Sequence, residues 1–168
     1  MTYIKVYIVF FFCFFIYAYG KAVPPITIQC HEIDVGETFT VNNTIYTKVN
    51  ESLLDDYVIK SNTKALETSC TSGVQNMDFL FFNSDLNPDI SSWDVSNVQN
   101  MNYMFYDAVL FNADISSWDV SNVKSMYEIL HNAKSFDQDI STWFIDDATK
   151  DVIYNQDHEL DGYPFFYA

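Results

Sequence analysis

A ten-residue phrase occurs twice in this chain, and it limits the available folds more than any other feature. Asp89-Ile90-Ser91-Ser92-Trp93-Asp94-Val95-Ser96-Asn97-Val98 returns as Asp114-Ile115-Ser116-Ser117-Trp118-Asp119-Val120-Ser121-Asn122-Val123, 25 residues on. A third, eroded copy begins Asp139-Ile140-Ser141-Thr142-Trp143, again 25 residues on. Periods of about 20–50 residues signify units that bury their apolar faces against one another. The rest of the chain reads as what precedes, separates and follows these copies.

Each copy has two halves. Gly73-Val74-Gln75-Asn76-Met77 parallels Asn97-Val98-Gln99-Asn100-Met101 and Asn122-Val123-Lys124-Ser125-Met126. After each comes apolar spacing of i, i+3, i+4, i+7: Met101, Met104, Phe105 and Ala108; Met77, Leu80, Phe81 and Ser84; Met126, Ile129, Leu130 and Ala133. That spacing marks one face of a helix. Ser72 and Ser96, each with a glutamine three residues on, resemble capping boxes, and Ser121 keeps the cap alone. The spacing therefore predicts a helix of about 8–12 residues per copy.

The other half, as in Phe111 to Val120, has no helical period. Its serines and aspartates favour turns, while Ile115, Trp118 and Val120 can point inward from a short strand. The predicted fold is α/β: a short solenoid of about 25-residue strand–turn–helix repeats with a small N-terminal α+β cap. Parallel strands on successive copies stack about 4.8 Å apart. The expected repeat core is Ile90, Trp93, Val98, Met101, Met104, Phe105, Ile115, Trp118, Val123, Met126, Ile140 and Trp143. Tyr103 and Tyr106, read as exposed, form the candidate contact face. Asp89, Asp114 and Asp139 are read as turn formers that accept from backbone N–H groups just after them. A calcium ion along them is the sharper alternative; the expectation is no cofactor and no bound metal.

Residues 1–20 read as a signal peptide: Lys5, then an unbroken apolar run from Val6 to Tyr19, then small residues at Ala18 and Gly20. The alternative is an uncleaved segment that tethers the chain to a membrane. Two cysteines remain after it, Cys30 and Cys70, and in an exported protein they most simply form one disulfide. Asn42 and Asn50 begin N-glycosylation sequons. Residues 21–72 read as a capping unit. It has a short strand at Ile26–Ile28, a turn at Gly36, a hairpin turning at Asn42-Asn43, a helix starting at Ser52, and a second short helix through Ala65 and Leu66. Residues 73–146 carry the repeats, and 147–168 a C-terminal cap or tail with the aromatic end Gly162 to Tyr167.

Charge narrows the partners. The chain has 23 acids against eight basic residues, a formal net charge of −15. Such a surface repels phosphate backbones, so nucleic acid is not an expected partner. His31, His131 and His158 have no nucleophile, base or ligand at a telling spacing, and the chain has only four glycines, with no phosphate loop. No enzymatic activity and no small-molecule substrate are expected.

The run from Asp89 to Asn112, in which the shared phrase leads into Met-x-x-Met-Phe-x-x-Ala-x-x-Phe-Asn, resembles the repeat of BspA-like leucine-rich-repeat (LRR) surface proteins. The next copy keeps the pattern as far as Met126, then has Glu128-Ile129-Leu130. Cys70-Thr71-Ser72-Gly73-Val74 also resembles the entry to such repeats. The resemblance covers roughly Cys70 to Thr142. It implies an LRR-like solenoid in a secreted or cell-surface protein that makes protein contacts or mediates adhesion. The partner would be an extracellular protein. The alternative is a structural surface or coat component that self-associates through its solenoid ends.

Overall fold

A computed structural model describes residues 26–143. The expectations for the signal peptide and for 147–168 lie outside these residues. Among the described residues, regular secondary structure is confined to the N-terminal unit: β1 (Thr38–Val41), β2 (Thr44–Lys48), α1 (Glu51–Ile59), α2 (Thr63–Glu67) and β3 (Ser69–Cys70). The order in the sheet is β1-β2-β3, with β1 antiparallel and β3 parallel to β2. Asn42 and Asn43 turn the hairpin at φ 47° and 65°, a backbone region asparagine adopts more readily than most residues. Helix α1 starts two residues earlier than the capping pattern suggests. Asn50, not Ser52, is its N-cap, and its side chain accepts from the Leu53 N–H at 3.0 Å. Ile26–Ile28 forms no strand; Ile28 N–H makes a single bond to Ser92 O.

This arrangement overturns the expected solenoid of strand–turn–helix repeats. The described residues hold two helices and one small mixed sheet, and neither occurs in the repeated sequence. Residues 73–143 are built of turns, with isolated parallel bridges Asn76–Asn100 and Asn100–Ser125.

The reason lies in the hydrogen bonds. Where a helix was predicted, Leu80, Phe82 and Ser84 donate three residues back, to Met77, Phe79 and Phe81. The alternate amides leave the copy altogether: Met77, Phe79, Phe81 and Asn83 donate to Asn100, Asn102, Met104 and Tyr106. The next copy repeats this, with Met101, Tyr103, Phe105 and Asp107 donating to Ser125, Tyr127, Ile129 and His131. Overlapping turns bury the same i, i+3, i+4, i+7 positions as a helix would. Half their amides are free to join neighbours, which an α-helix does not allow.

The predicted strand at Ile115 is displaced by local chemistry. The Asp114 carboxylate accepts from Ser116 N–H, and Trp118 N–H closes a turn onto Ile115 O. Asp89 and Asp139 make the same side-chain turn with Ser91 and Ser141.

Ile90, Trp93, Val98, Met101, Met104, Phe105, Ile115, Trp118, Val123, Met126, Ile140 and Trp143 are all buried, and they share one core cluster with Leu54 and Leu66. The indoles are stacked with nearly parallel planes. Trp93–Trp118 and Trp118–Trp143 lie 6.3 and 6.4 Å apart, at 3° and 2°. Each indole N–H donates to an isoleucine carbonyl of the copy before it: Trp118 to Ile90 at 3.2 Å, Trp143 to Ile115 at 3.1 Å. No isoleucine precedes Trp93 in this way, and α2 supplies the substitute: Trp93 donates to Leu66 O at 2.9 Å. Leu66 thus occupies the place of a missing copy's isoleucine.

The spacing is not uniform. Val74 to Val98 is 24 residues and Val98 to Val123 is 25. The first copy closes its last turn with the Ser84 hydroxyl, which accepts from Leu86 N–H. The longer copies use backbone turns from Phe111 to Ala108 and from Phe136 to Ala133.

Candidate functional site

The overlapping turns send one set of side chains inward and leave another outside. Phe79 and Phe82 are 54% and 46% exposed. Tyr103 and Tyr106, expected to be exposed, are half-buried because they stack on those two rings. Phe79 lies 5.0 Å from Tyr103 at 13°, and Phe82 lies 5.2 Å from Tyr106 at 10°. Tyr106 in turn stacks on His131 at 4.7 Å. In the third copy Glu128 takes the position of Phe79 and Tyr103, and Tyr127 covers Tyr103 edge-on at 5.1 Å. The two columns touch through Tyr103 and Tyr106 at 5.7 Å. An aromatic strip thus crosses all three copies. Sequence reasoning found its middle and missed its ends. The signal was available: Phe79 and Phe82 stand 24 residues before Tyr103 and Tyr106.

The backbone under the strip is strained. Phe79, Tyr103 and Glu128 have φ of 61°, 55° and 48°, and Asn83, Asp107 and Asn132 have φ of 53°, 55° and 56°. Asparagine and aspartate tolerate this region, but a bulky aromatic there costs about 1–3 kcal/mol. The amides of Phe79 and Tyr103 are held by the carbonyls of Asn102 and Tyr127 in the following copy.

Carboxylates line the strip. Asp78 Oδ1 accepts from Asn102 N–H at 2.6 Å, and Asp107 Oδ1 accepts from the Asn132 carboxamide. A hydrogen bond to the Glu128 carboxylate, with lesser help from burial and nearby charge, pushes the Tyr127 phenol up to about 12. Tyr106 is raised by burial, then by the charges of Asp107 and Glu128.

A second polar cluster joins the N-terminal unit to the first copy. Asp94 is 2% exposed, although its counterpart Asp119 is exposed. Its Oδ2 accepts from the Ser72 hydroxyl at 2.7 Å and lies 3.7 Å from His31 Nε2. Its Oδ1 accepts from Ser96, and Thr71 Oγ1 donates to its carbonyl. Burial lowers the pKa of Lys48, and the Asp94 charge opposes that shift. Ser72 donates to the carboxylate and not to the imidazole, and these bonds tie the N-terminal unit to the first copy. The Cys30–Cys70 disulfide, Cα–Cα 6.4 Å, lies beside them, with Cys30 N–H bonded to Ser72 Oγ.

The remaining expected sites are placed as follows. Asn42 is exposed in the hairpin turn. Asn50 is half-buried with its carboxamide oxygen engaged as the cap of α1. Among the described residues no group of three or more His, Cys, Asp or Glu side chains could hold a metal ion, and no helix is long and apolar enough to cross a membrane.

No curated protein and no solved structure matches the chain. One family model does, over residues 51–158, which takes in α1, α2 and the whole repeated region. The chain therefore belongs to the family described as Mycoplasma protein of unknown function, DUF285.

Proposed function

We propose that the chain is a non-enzymatic, secreted or cell-surface repeat protein that binds another protein through its outward aromatic strip, as in adhesion. The likeness of Asp89 to Asn112 to BspA-like surface repeats supports this reading. One observation carries it: Phe79 and Tyr103 occupy left-handed backbone positions that Asn83 and Asn132 show can be filled with less strain. A chain shaped only for folding gains by placing asparagine or glycine at 79 and 103. The rings serve the surface they present. Aromatic residues are also the side chains most concentrated at energetic centres of protein interfaces.

The test uses Phe79→Gly with Phe82→Ser. Relief of strain and loss of ring stacking oppose each other, so stability stays within about 1 kcal/mol of the native chain. Immobilised native chain retains a protein from extracts of cell surfaces, and the double variant does not. Equal retention by both refutes the role of the strip.

A further inference from the structure

The strip is apolar at its exposed end and acidic along its length, and these two properties select the partner. We infer that the partner presents a lysine- or arginine-rich segment to this strip. The inference rests on the contact reading above and gives it a chemistry.

The free ring faces are at the first copy. Phe79 and Phe82 each have one face stacked on a tyrosine and remain about half exposed. Guanidinium groups stack on such faces, and the methylene stems of lysine and arginine pack over ring edges while their charged heads stay wet. Further along, the strip offers Asp107 and Glu128, both close enough to Tyr106 to act on its phenol. Asp78 and Asp107 are each fixed by one oxygen to the next copy. Carboxylates held in place in this way lose little freedom when a cation docks.

Charge also separates this occupant from a second copy of the chain. Residues 73–143 hold ten acids and two lysines, and one of those, Lys124, is bonded to Gln99. Two chains of −15 repel as they approach, whereas a basic segment is steered in.

The test measures binding of the full chain to decalysine and deca-arginine, with decaglutamate and a neutral glycine–serine peptide as controls. Both basic peptides bind and weaken with added salt, and the controls do not bind. Phe79→Ser with Phe82→Ser weakens binding about tenfold, as does Asp107→Asn with Glu128→Gln. Asp114→Asn with Asp119→Asn, an equal change in net charge away from the strip, alters it less than about twofold. If both acid pairs weaken binding equally, the attraction is net charge alone and the inference is overturned. Absence of binding overturns it too. Hydrogen exchange on the native chain gives a second measure, independent of any variant: deca-arginine slows exchange at residues 78–83 and 102–107, and protection confined to other residues overturns the inference. A neutral or acidic protein captured through Phe79 and Phe82 overturns the basic partner and leaves the contact role standing. Capture that ignores both rings ends both.

Discussion

Replacing Trp118 with alanine is the sharpest test of how the copies are held together. Its indole is 4% exposed and lies between Trp93 and Trp143, so truncation opens a void on both sides. Removing a buried aromatic of this size costs about 3–5 kcal/mol. The Ile90 carbonyl also loses its donor, and an unsatisfied buried acceptor costs a further ~1–3 kcal/mol. The two contributions overlap, because a void beside Ile90 gives water a path to the carbonyl. The expected loss is therefore about 4–6 kcal/mol, against a total of roughly 5–15 kcal/mol for a domain of this kind. Trp118→Phe keeps a ring in the stack but deletes the donor, and should lose about 1–3 kcal/mol. Urea unfolding of the full chain, followed by far-ultraviolet circular dichroism, measures both. A loss below about 1.5 kcal/mol for Trp118→Ala, or equal losses for the two variants, refutes the stacked and hydrogen-bonded core.

Three other outcomes follow from the same contacts. Cys30→Ala with Cys70→Ala opens a loop of 40 residues and should destabilise the chain by about 3–4 kcal/mol in the chain-entropy account, read as a lower urea midpoint. Asn50→Ala removes the acceptor for the Leu53 amide and should cost ~1 kcal/mol, with Asn50→Asp close to neutral in the same unfolding assay. Because the folded Tyr127 pKa is raised to about 12, its contribution to stability is complete below the ordinary tyrosine value of 10.0 and is lost as pH rises from there through about 12. Ultraviolet titration should show a phenolate near 12 that Tyr127→Phe abolishes and Glu128→Gln moves earlier; absence of any phenolate that late sinks the Tyr127–Glu128 hydrogen bond.

The interior of this protein is easier to read from its sequence than its backbone is. Recurrence of Ile and Trp at fixed spacing points to buried ladders, since a copy can hide such side chains only against its neighbours. The helix expected after each Met fails for a specific reason. The i, i+3, i+4, i+7 rule reports which side chains share a face, and overlapping turns share that face. What separates the two is the destination of alternate amides, which no single copy encodes. The same blindness hid the burial of Asp94. Asp94 and Asp119 sit in identical phrases, and the neighbours from the N-terminal side, Ser72, Thr71 and His31, distinguish them. Leu66 reads as part of a short helix, but its place under Trp93 depends on register across 27 residues. Phe79 and Phe82 are hard to single out because they flank the core residues Leu80 and Phe81 in one unbroken apolar run, although their offset from Tyr103 and Tyr106 is visible.

The three parallel indoles have a consequence beyond packing. Chromophores a few ångströms apart with aligned planes share their excitations, so their near-ultraviolet dichroism belongs to the trio and not to its members. A slip of one residue between copies would turn an indole away and break that coupling. Proper alignment of this chain can therefore be seen by light alone, without a label.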